Sequence, residues 1–169
     1  MKKLDQLPVF GNKNMPDYDP ETWRLKVDGL VRSPAALTLE EILTLPITAL
    51  TSDFSCVEGW TVEGIKWQGV RVRDLAERVI TLPEAKFATF HAGSFIMSLP
   101  LEEATKDNII LAYSLDGKSL PREHGGPLRL ITPSNDCFYS VKLVERVEFT
   151  ESDAGDTGRT IALTRIGRV

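Results

Sequence analysis

The segment Thr51-Ser-Asp-Phe-Ser-Cys-Val-Glu-Gly-Trp60 places a cysteine between an apolar, strand-like stretch and a turn. The stretch runs from Leu45 to Phe54, and Gly59 supplies the flexible residue that tight turns favour. A side chain at such a junction projects from the end of a rigid element, where a ligand or substrate can reach it. Because a thiolate is a soft metal ligand and a good nucleophile, Cys56 is the first candidate functional residue.

Around this segment the sequence alternates short strand patterns with a few short helical patterns. Strand-like segments lie at 23–28, 47–56, 60–67, 87–91, 109–115, 128–132 and 141–150. Helical patterns occur at 38–45, 72–80 and 101–105, and Thr38 with Glu41 forms a capping box at the first of them. These patterns predict one α+β or mostly-β domain over residues 1–169. Residues 1–18 are expected to form an extended arm, and residues 151–169 a polar C-terminal extension that leads to a terminal strand or arm.

Composition excludes several functional classes. The chain has 169 residues, a net charge of −4 and a pI near 5.3, which argues against nucleic acid or an anionic membrane as partner. No apolar stretch approaches the roughly 20 residues that cross a bilayer. Lys2 and Lys3 are followed by no apolar run, so no secretory signal is expected. The two cysteines lack CxxC spacing and indicate neither a zinc site nor a disulfide framework, which favours a cytoplasmic protein with reduced thiols.

Two further segments carry groups that suit an anionic ligand. The tight loop 117–129 contains His124 and Arg129 as hydrogen-bond donors, and Gly125 and Gly126 permit close approach of a ligand to the backbone. The segment Ser140-Val-Lys142 is a second donor-rich turn that carries a cation. Together with Cys56, these segments describe a site with a soft sulfur ligand at one end and an anion-binding pocket at the other.

A series of motifs in order matches a known family. These motifs include Cys-Val-Glu-Gly-Trp at 56–60 and Leu-Pro-Arg-Glu-His-Gly-Gly-Pro-Leu-Arg-Leu at 120–130, and the others lie at 19–30, 89–92, 98–102 and 111–113. In these motifs the chain resembles the molybdopterin-binding domain of the sulfite oxidase family, and the cysteine motif is similar to the bacterial sulfoxide-reductase branch. The resemblance implies an α+β fold of the sulfite-oxidase type, with mixed β-sheets and short helices.

The resemblance also implies a cofactor and the residues that hold it. Cys56 would bind the metal of a molybdopterin that carries molybdenum or tungsten, while the pterin supplies the other sulfur ligands. Catalytic roles fall to Cys56 and Glu58. Cofactor-binding roles fall to His91, His124, Arg129, Ser140, Val141 and Lys142. An asparagine and aromatic cluster that touches the pterin would correspond to Phe10, Asn12 and Asn14.

Glu58 indicates the kind of substrate. Sulfite oxidases place basic residues immediately after the cysteine, whereas here Val57 and Glu58 follow it. A carboxylate about 4 Å from an anionic substrate would repel it by roughly 1–4 kcal/mol. We therefore expect two-electron oxygen-atom transfer with a neutral small molecule such as a sulfoxide or an N-oxide. A separate electron-transfer partner is expected, since the sequence has no haem motif and no set of iron–sulfur cysteines.

Two alternatives compete with this interpretation. The loop 134–139 departs from the family pattern, with Cys137 in place of a usual glycine and Tyr139 where lysine is common. That departure favours a non-catalytic or cofactor-free member of the fold, in which Cys137 is a core or loop thiol. The second alternative is a cysteine hydrolase or thiol redox protein that pairs Cys56 with His91 or His124.

Overall fold

A computed structural model gives the fold and describes residues 1–9, 18–133 and 135–167. The strands are β1 (Lys2–Lys3), β2 (Leu25–Gly29), β3 (Ala35–Leu37), β4 (Thr48–Cys56), β5 (Trp60–Arg71), β6 (Phe87–Ala92), β7 (Phe95–Pro100), β8 (Ile110–Leu115), β9 (Lys118–Ser119), β10 (Arg129–Ile131) and β11 (Arg146–Thr150). The helices are α1 (Leu39–Leu43), α2 (Val72–Val79), α3 (Leu101–Ala104) and α4 (Thr157–Arg165), and short 3-10 turns cover Arg122–His124 and Cys137–Tyr139. The expected α+β fold with mixed sheets and short helices is confirmed.

The strands form two mixed sheets. The first sheet has the order β1-β5-β8-β10, with β4 also paired to β5 and β9 to β8. The second sheet has the order β3-β2-β11-β6-β7. Two pairings are parallel, β1 with β5 and β2 with β11, and they connect segments far apart in the chain. Parallel pairing requires a long connection, so a local sequence pattern cannot reveal it.

The strands β8 and β10 of the first sheet are largely buried on both faces and separate two hydrophobic clusters. The larger cluster contains Leu111 and Leu130 with residues of the second sheet and α2. The smaller cluster contains Ile110 and Ile131 with residues of the β4–β5 hairpin, including Cys56. Because adjacent residues of a strand point to opposite faces, β8 and β10 contribute to both clusters. Cys56, at the end of β4, therefore lies in the smaller cluster, on the face of β8 and β10 opposite the larger cluster.

Several local expectations are confirmed. The Thr38 hydroxyl accepts from Glu41 N at 3.1 Å, and a Glu41 carboxylate oxygen accepts from Thr38 N at 2.8 Å, which completes the capping box of α1. The Asp116-Gly117 turn joins β8 to β9 as a two-residue hairpin, with positive φ at both residues.

The C-terminal expectation is wrong. Residues 157–165 form helix α4 rather than a polar connection to a terminal strand or arm. Asp156 begins this helix, with its side chain accepting from Arg159 N at 2.8 Å. The strand β7 was also not expected, because its apolar run follows a Gly-containing turn and shows no clear alternation.

The N-terminal segment is partly ordered against the first sheet. Lys2 and Lys3 pair with β5 near the cysteine turn, and Leu7 is buried in the smaller cluster. The expected pterin contacts Phe10, Asn12 and Asn14 lie outside the described residues. Among the helices that the structure describes, none is long and apolar enough to span a membrane.

Candidate active site

Cys56 lies at the tip of a hairpin. It ends β4, and Trp60, its partner across the hairpin, begins β5. The three intervening residues turn tightly, with Gly59 N donating to Cys56 O at 2.9 Å and Gly59 at a φ of 89°. This left-handed conformation favours glycine, which explains the Gly in the Cys-Val-Glu-Gly-Trp motif. The hairpin thus holds the Cys56 side chain at a fixed place on the wall of a cavity.

Cys56 has an unexpected neighbour in Cys137. The two cysteines are paired as a disulfide, with Cα atoms 5.0 Å apart, although 81 residues separate them in the sequence. The expectation of two independent reduced thiols, with Cys137 as a core or loop thiol, is therefore wrong for this structure. Cys137 reaches Cys56 because the 3-10 turn that it begins packs beside β4. Cys56 can bind a metal only when this pair is reduced.

The cavity beside Cys56 has a volume of about 360 Å³. It contains six residues expected from the sequence to line the site, which are Cys56, Glu58, Arg129, Ser140, Val141 and Lys142. It also contains residues that the sequence did not reveal, among them Cys137, Phe138, Phe95, Ile161 and Arg165. The last two belong to α4, so the unexpected helix forms part of the cavity.

Arg129 is a buried cation at this cavity. Its residue is only 4% exposed, and its guanidinium lies 4.8 Å from the centroid of the Phe54 ring. Nη1 donates to His124 O at 3.0 Å and Nε to Ser140 O at 3.3 Å, and no described carboxylate forms an ion pair with it. Burial lowers the pKa of Arg129 to about 9. A buried cation that is held by carbonyl dipoles and an aromatic face, without a described carboxylate, is well suited to an anionic ligand.

Lys142 is a second partly buried cation near Arg129. Its ammonium donates to Glu123 O at 2.9 Å. Burial, and then the charge of Arg129, lower the pKa of Lys142 to about 8. Two cations whose charged forms are disfavoured by burial and by each other gain stability when an anion lies between them.

The carbonyl groups of Ser140 and Val141 accept hydrogen bonds from Arg129 and Leu130. Ser140 O accepts from Arg129, while its hydroxyl accepts from Thr132 N at 3.2 Å and is used inside the fold. Val141 O accepts from Leu130 N at 2.9 Å. The Ser140 side chain and both carbonyls are therefore engaged in the fold, and a contact of Ser140 or Val141 with a cofactor stays a prediction.

His124 lies on the far side of Arg129, facing a neighbouring cavity of about 330 Å³ rather than the Cys56 cavity. Its Nδ1 is buried without a hydrogen-bond partner. Burial, and then the charges of Lys142 and Arg129, lower the pKa of His124. A buried ring nitrogen without a partner is the kind of atom that a bound ligand satisfies.

The two glycines after His124 have a different role from the one expected. A Cβ on Gly126 would lie 2.1 Å from Leu120 O, and one on Gly125 would lie 2.9 Å from Lys142 Cβ. Gly125 and Gly126 therefore permit close approach of the protein's own backbone and of Lys142. They position the cationic segment, and the structure shows no open space for a ligand at their Cα atoms.

His91 is not brought to the Cys56 cavity. Its Nε2 lies 4.0 Å from Glu148 Oε1 and has no hydrogen-bond partner. Arg146, opposite His91 in the sheet, forms ion pairs with Glu148 and Asp28. This places His91 in a charged network on the second sheet, so its contact with a cofactor stays a prediction.

Glu58 marks the outer part of the cavity. Its carboxylate accepts from Trp60 Nε1 at 3.4 Å and lies 3.9 Å from Arg165 Nη1 of α4. The Glu58 side chain is 21% exposed and that of Arg165 is 52% exposed. An opposite charge from another part of the chain therefore balances the carboxylate next to Cys56.

The residues fit a pterin with a phosphate group. Arg129 and Lys142 offer donors and positive charge to an anion in the Cys56 cavity, while Cys56 in its reduced form offers one thiolate, and the unpartnered His124 nitrogen lies at the neighbouring cavity. Among the described residues, no three His, Cys, Asp or Glu side chains cluster as a metal site. A metal bound to Cys56 would take its other ligands from outside the protein, as a pterin dithiolene provides them.

Comparison with known proteins identifies relatives of this chain. The family model for the "Oxidoreductase molybdopterin binding domain" matches residues 12–157 and so ends where α4 begins. The chain is 34% identical over 148 residues to the "Uncharacterized oxidoreductase YuiH" of Bacillus subtilis, covering 86% of this chain and 75% of that protein.

Two more distant relatives have more specific names. The chain is 26% identical over 169 residues to the "Protein-methionine-sulfoxide reductase catalytic subunit MsrP" of Campylobacter jejuni, covering 89% of this chain and 57% of that protein. The crystal structure of the sulfane dehydrogenase SoxCD from Paracoccus pantotrophus is similar with a TM-score of 0.75 and 25% identity. That match covers 82% of this chain and 41% of the SoxCD chain, so this chain corresponds to one part of these longer proteins.

Proposed function

The chain belongs to the oxidoreductase molybdopterin-binding domain family, and from that premise we propose that it is a molybdenum-pterin enzyme that reduces a neutral sulfoxide or N-oxide. The observation that carries the proposal is the cavity shared by Cys56, the buried cation Arg129 and the partly buried cation Lys142. One end of this cavity suits a soft metal and the other an anionic phosphate. The similarity to a methionine-sulfoxide reductase subunit supports the choice of substrate class.

Several residues of the chain would bind different parts of the cofactor. A bound molybdenum or tungsten pterin supplies two-electron oxygen-atom transfer. Cys56 would bind the metal, Arg129 and Lys142 would neutralise the phosphate, and His124 would donate or accept through its unpartnered nitrogen. The backbone of Ser140 and Val141 would complete the pocket. Each of these groups is already held in place by the hairpin or by backbone hydrogen bonds, which lowers the entropy cost of binding.

Glu58 favours a neutral substrate. Its carboxylate lines the same cavity as Cys56, two residues along the hairpin. Because Arg165 lies 3.9 Å from this carboxylate, the pair offers little net charge to an oxyanion such as sulfite, whereas a sulfoxide carries no net charge. The overall reaction is reduction of the sulfoxide by two electrons and two protons to a thioether and water. A separate electron-transfer protein is proposed as the source of the electrons.

The disulfide favours one alternative. A chain in which Cys56 stays paired with Cys137 offers no thiolate to a metal, which would suit a cofactor-free member of the fold. The cysteine hydrolase alternative has less support, because neither histidine of the chain lines the Cys56 cavity.

Metal and pterin content test the proposal. Chain produced in a host that makes molybdopterin, and purified with a dithiol reductant, is expected to contain stoichiometric molybdenum and the fluorescence of an oxidised pterin. It should also reduce a methyl sulfoxide with a reduced viologen dye. Cys56→Ser should lower metal content and activity to background, because serine is a much weaker ligand for the soft metal. Tungsten content in the same measurement decides between the two metals.

The matched control is Cys137→Ser, which removes the partner of Cys56 but keeps the proposed ligand. This variant is expected to retain metal. Wild-type chain that stays metal-free with both thiols reduced would support the cofactor-free alternative instead. The cytoplasmic location also remains a proposal, which cell fractionation of the native host would test.

A further inference from the structure

We propose that helix α4 is a specificity wall of the Cys56 cavity, which selects a neutral substrate with an apolar substituent on its sulfur or nitrogen. The helix begins at Thr157, where the family match ends, so this wall lies outside the matched residues. The inference rests on the proposed function, since it concerns the substrate of the same site.

The start of α4 is fixed to the second sheet. Thr157 Oγ1 accepts from Ile96 N at 2.8 Å and donates to Ile96 O at 3.0 Å. Asp156 pairs with Met97 in an isolated bridge, and Ser98 Oγ accepts from Ala154 N at 3.1 Å. The helix therefore continues the edge of β7 and has a defined position over the cavity, as a wall that sets specificity requires.

Close packing brings α4 to the aromatic side of the cavity. Gly158 is buried, and a Cβ at this position would lie 2.4 Å from Phe95 Cζ and 3.2 Å from Phe138 O. Glycine at this position avoids a clash with the Phe95 ring while α4 packs against the 3-10 turn that carries Cys137 and Phe138. The turn with the second cysteine and the helix thus form one continuous wall.

The surface that this wall presents is apolar. Phe95, Phe138 and Ile161 all line the cavity. Ile161 is 46% exposed, although a large aliphatic side chain at such a position loses free energy by its contact with water. A hydrocarbon group of a substrate that covered Ile161 would remove this contact. The wall therefore suits an alkyl or aryl substituent.

The ionic groups of the mouth cancel one another. Arg165 at the end of α4 lies 3.9 Å from Glu58 of the cysteine hairpin. Without Arg165 the mouth would carry the negative charge of Glu58, and without Glu58 it would carry a cation that attracts oxyanions. With both groups present, neither sign of charge gains an advantage, and apolar contact decides which substrate binds.

Binding of unreactive analogues tests the wall apart from catalysis. Methyl phenyl sulfone, dimethyl sulfone and methanesulfonate would be titrated into the reduced, cofactor-loaded chain by calorimetry. Ile161→Ala is expected to lower the affinity for methyl phenyl sulfone about tenfold. The affinity for dimethyl sulfone should stay nearly unchanged, because only the larger ligand reaches the wall. In turnover of the matching sulfoxides, the change should fall on KM rather than on kcat.

Charge variants test the mouth. Glu58→Gln removes the carboxylate that faces Arg165 and is expected to strengthen methanesulfonate binding by about fivefold, the scale of an exposed ion pair. Arg165→Gln should weaken methanesulfonate binding by a similar factor while hardly changing dimethyl sulfone. The matched controls on the outer side of α4 are Thr164→Ala and Arg159→Gln, whose residues do not line the cavity.

The outcomes separate the wall from the proposed function. Absence of sulfoxide reduction by the loaded wild-type chain overturns the proposed function and with it this inference. If the wild-type chain reduces sulfoxides normally but Ile161→Ala and Thr164→Ala bind each sulfone with equal affinity, the proposed role of α4 is overturned and the proposed function stands. Thermal unfolding of each variant shows that a loss of binding does not come from a loss of folding.

Discussion

The two ends of the Cys56 cavity are built in different ways. At the deep end, Arg129 is almost fully buried and is held by two backbone carbonyls. At the mouth, Arg165 is half exposed and reaches Glu58 across 3.9 Å of a partly solvated pair. A buried cation fixed by the backbone binds one kind of anion strongly, while a solvated ion pair adjusts at little cost. The deep end thus suits a permanent cofactor and the mouth a substrate that exchanges.

Arg129→Met should give the largest effect, because it removes the charge from the deep end. Loss of one partner of a buried ionic contact costs about 2–5 kcal/mol, which corresponds to a loss of cofactor affinity of roughly 30-fold to several thousand-fold. Pterin and molybdenum content after dialysis measures this loss. Arg78→Met, an exposed arginine on α2, is the matched control and should retain the cofactor. Retention of cofactor by Arg129→Met would remove the distinction between the two ends.

The pH dependence of anion binding should give an intermediate effect. The folded-state pKa of Lys142 is about 8, below its ordinary value of 10.5. Binding of inorganic phosphate to the reduced, cofactor-free chain should therefore persist below pH 8 and fall by up to about tenfold per pH unit above it. Because the unfolded chain holds this proton up to pH 10.5, the stability of the cofactor-free chain should rise between pH 8 and pH 10.5.

Lys142→Met tests the assignment of this dependence. The variant should bind phosphate weakly at every pH and lose the change near pH 8, whereas Lys118→Met, an exposed control, should behave as wild type. Calorimetric titration and urea unfolding across this pH range measure both effects. An unchanged profile in Lys142→Met would assign the titration to another group.

Gly158→Ala should give the smallest effect, confined to the mouth. The added methyl group would clash with the Phe95 ring and lie close to Phe138 O, so we expect a small displacement of α4. A displacement of this kind costs on the order of 1 kcal/mol, so KM for methyl phenyl sulfoxide should rise about fivefold with cofactor content unchanged. Steady-state kinetics and metal analysis together measure this. Loss of cofactor in Gly158→Ala would show that the two ends depend on each other.

Local patterns in the sequence were enough for the elements that depend on neighbours in the chain. The capping box of Thr38 and Glu41, the Asp116-Gly117 hairpin and the turn at Gly59 all use contacts within a few residues. Helix α4 was not foreseen, because its residues show little amphipathic pattern. Its start is held by Asp156 and by Thr157 bonded to Ile96, which is 61 residues away.

The sequence also predicted some of the cavity residues correctly and could not place others. Resemblance of motifs identified Cys56, Arg129 and Lys142, and the structure places them in one cavity. It could not separate His124, which faces the adjoining cavity, from His91, which lies in a charged network on the other sheet. His91 lies on β6 and His124 on the 3-10 turn Arg122–His124, and only the tertiary positions of these two elements distinguish the histidines.

The sequence by itself determined the family, the strand-and-helix pattern and the cysteine on a hairpin turn. These features depend on residue types and on residues close together in the chain, so the sequence alone is enough to predict them. Only the tertiary structure decided that Cys137 lies beside Cys56, that Gly125 makes room for Lys142, and that α4 lines the cavity. Each of these is a contact between residues distant in the chain, and the folded sheets alone bring such residues together.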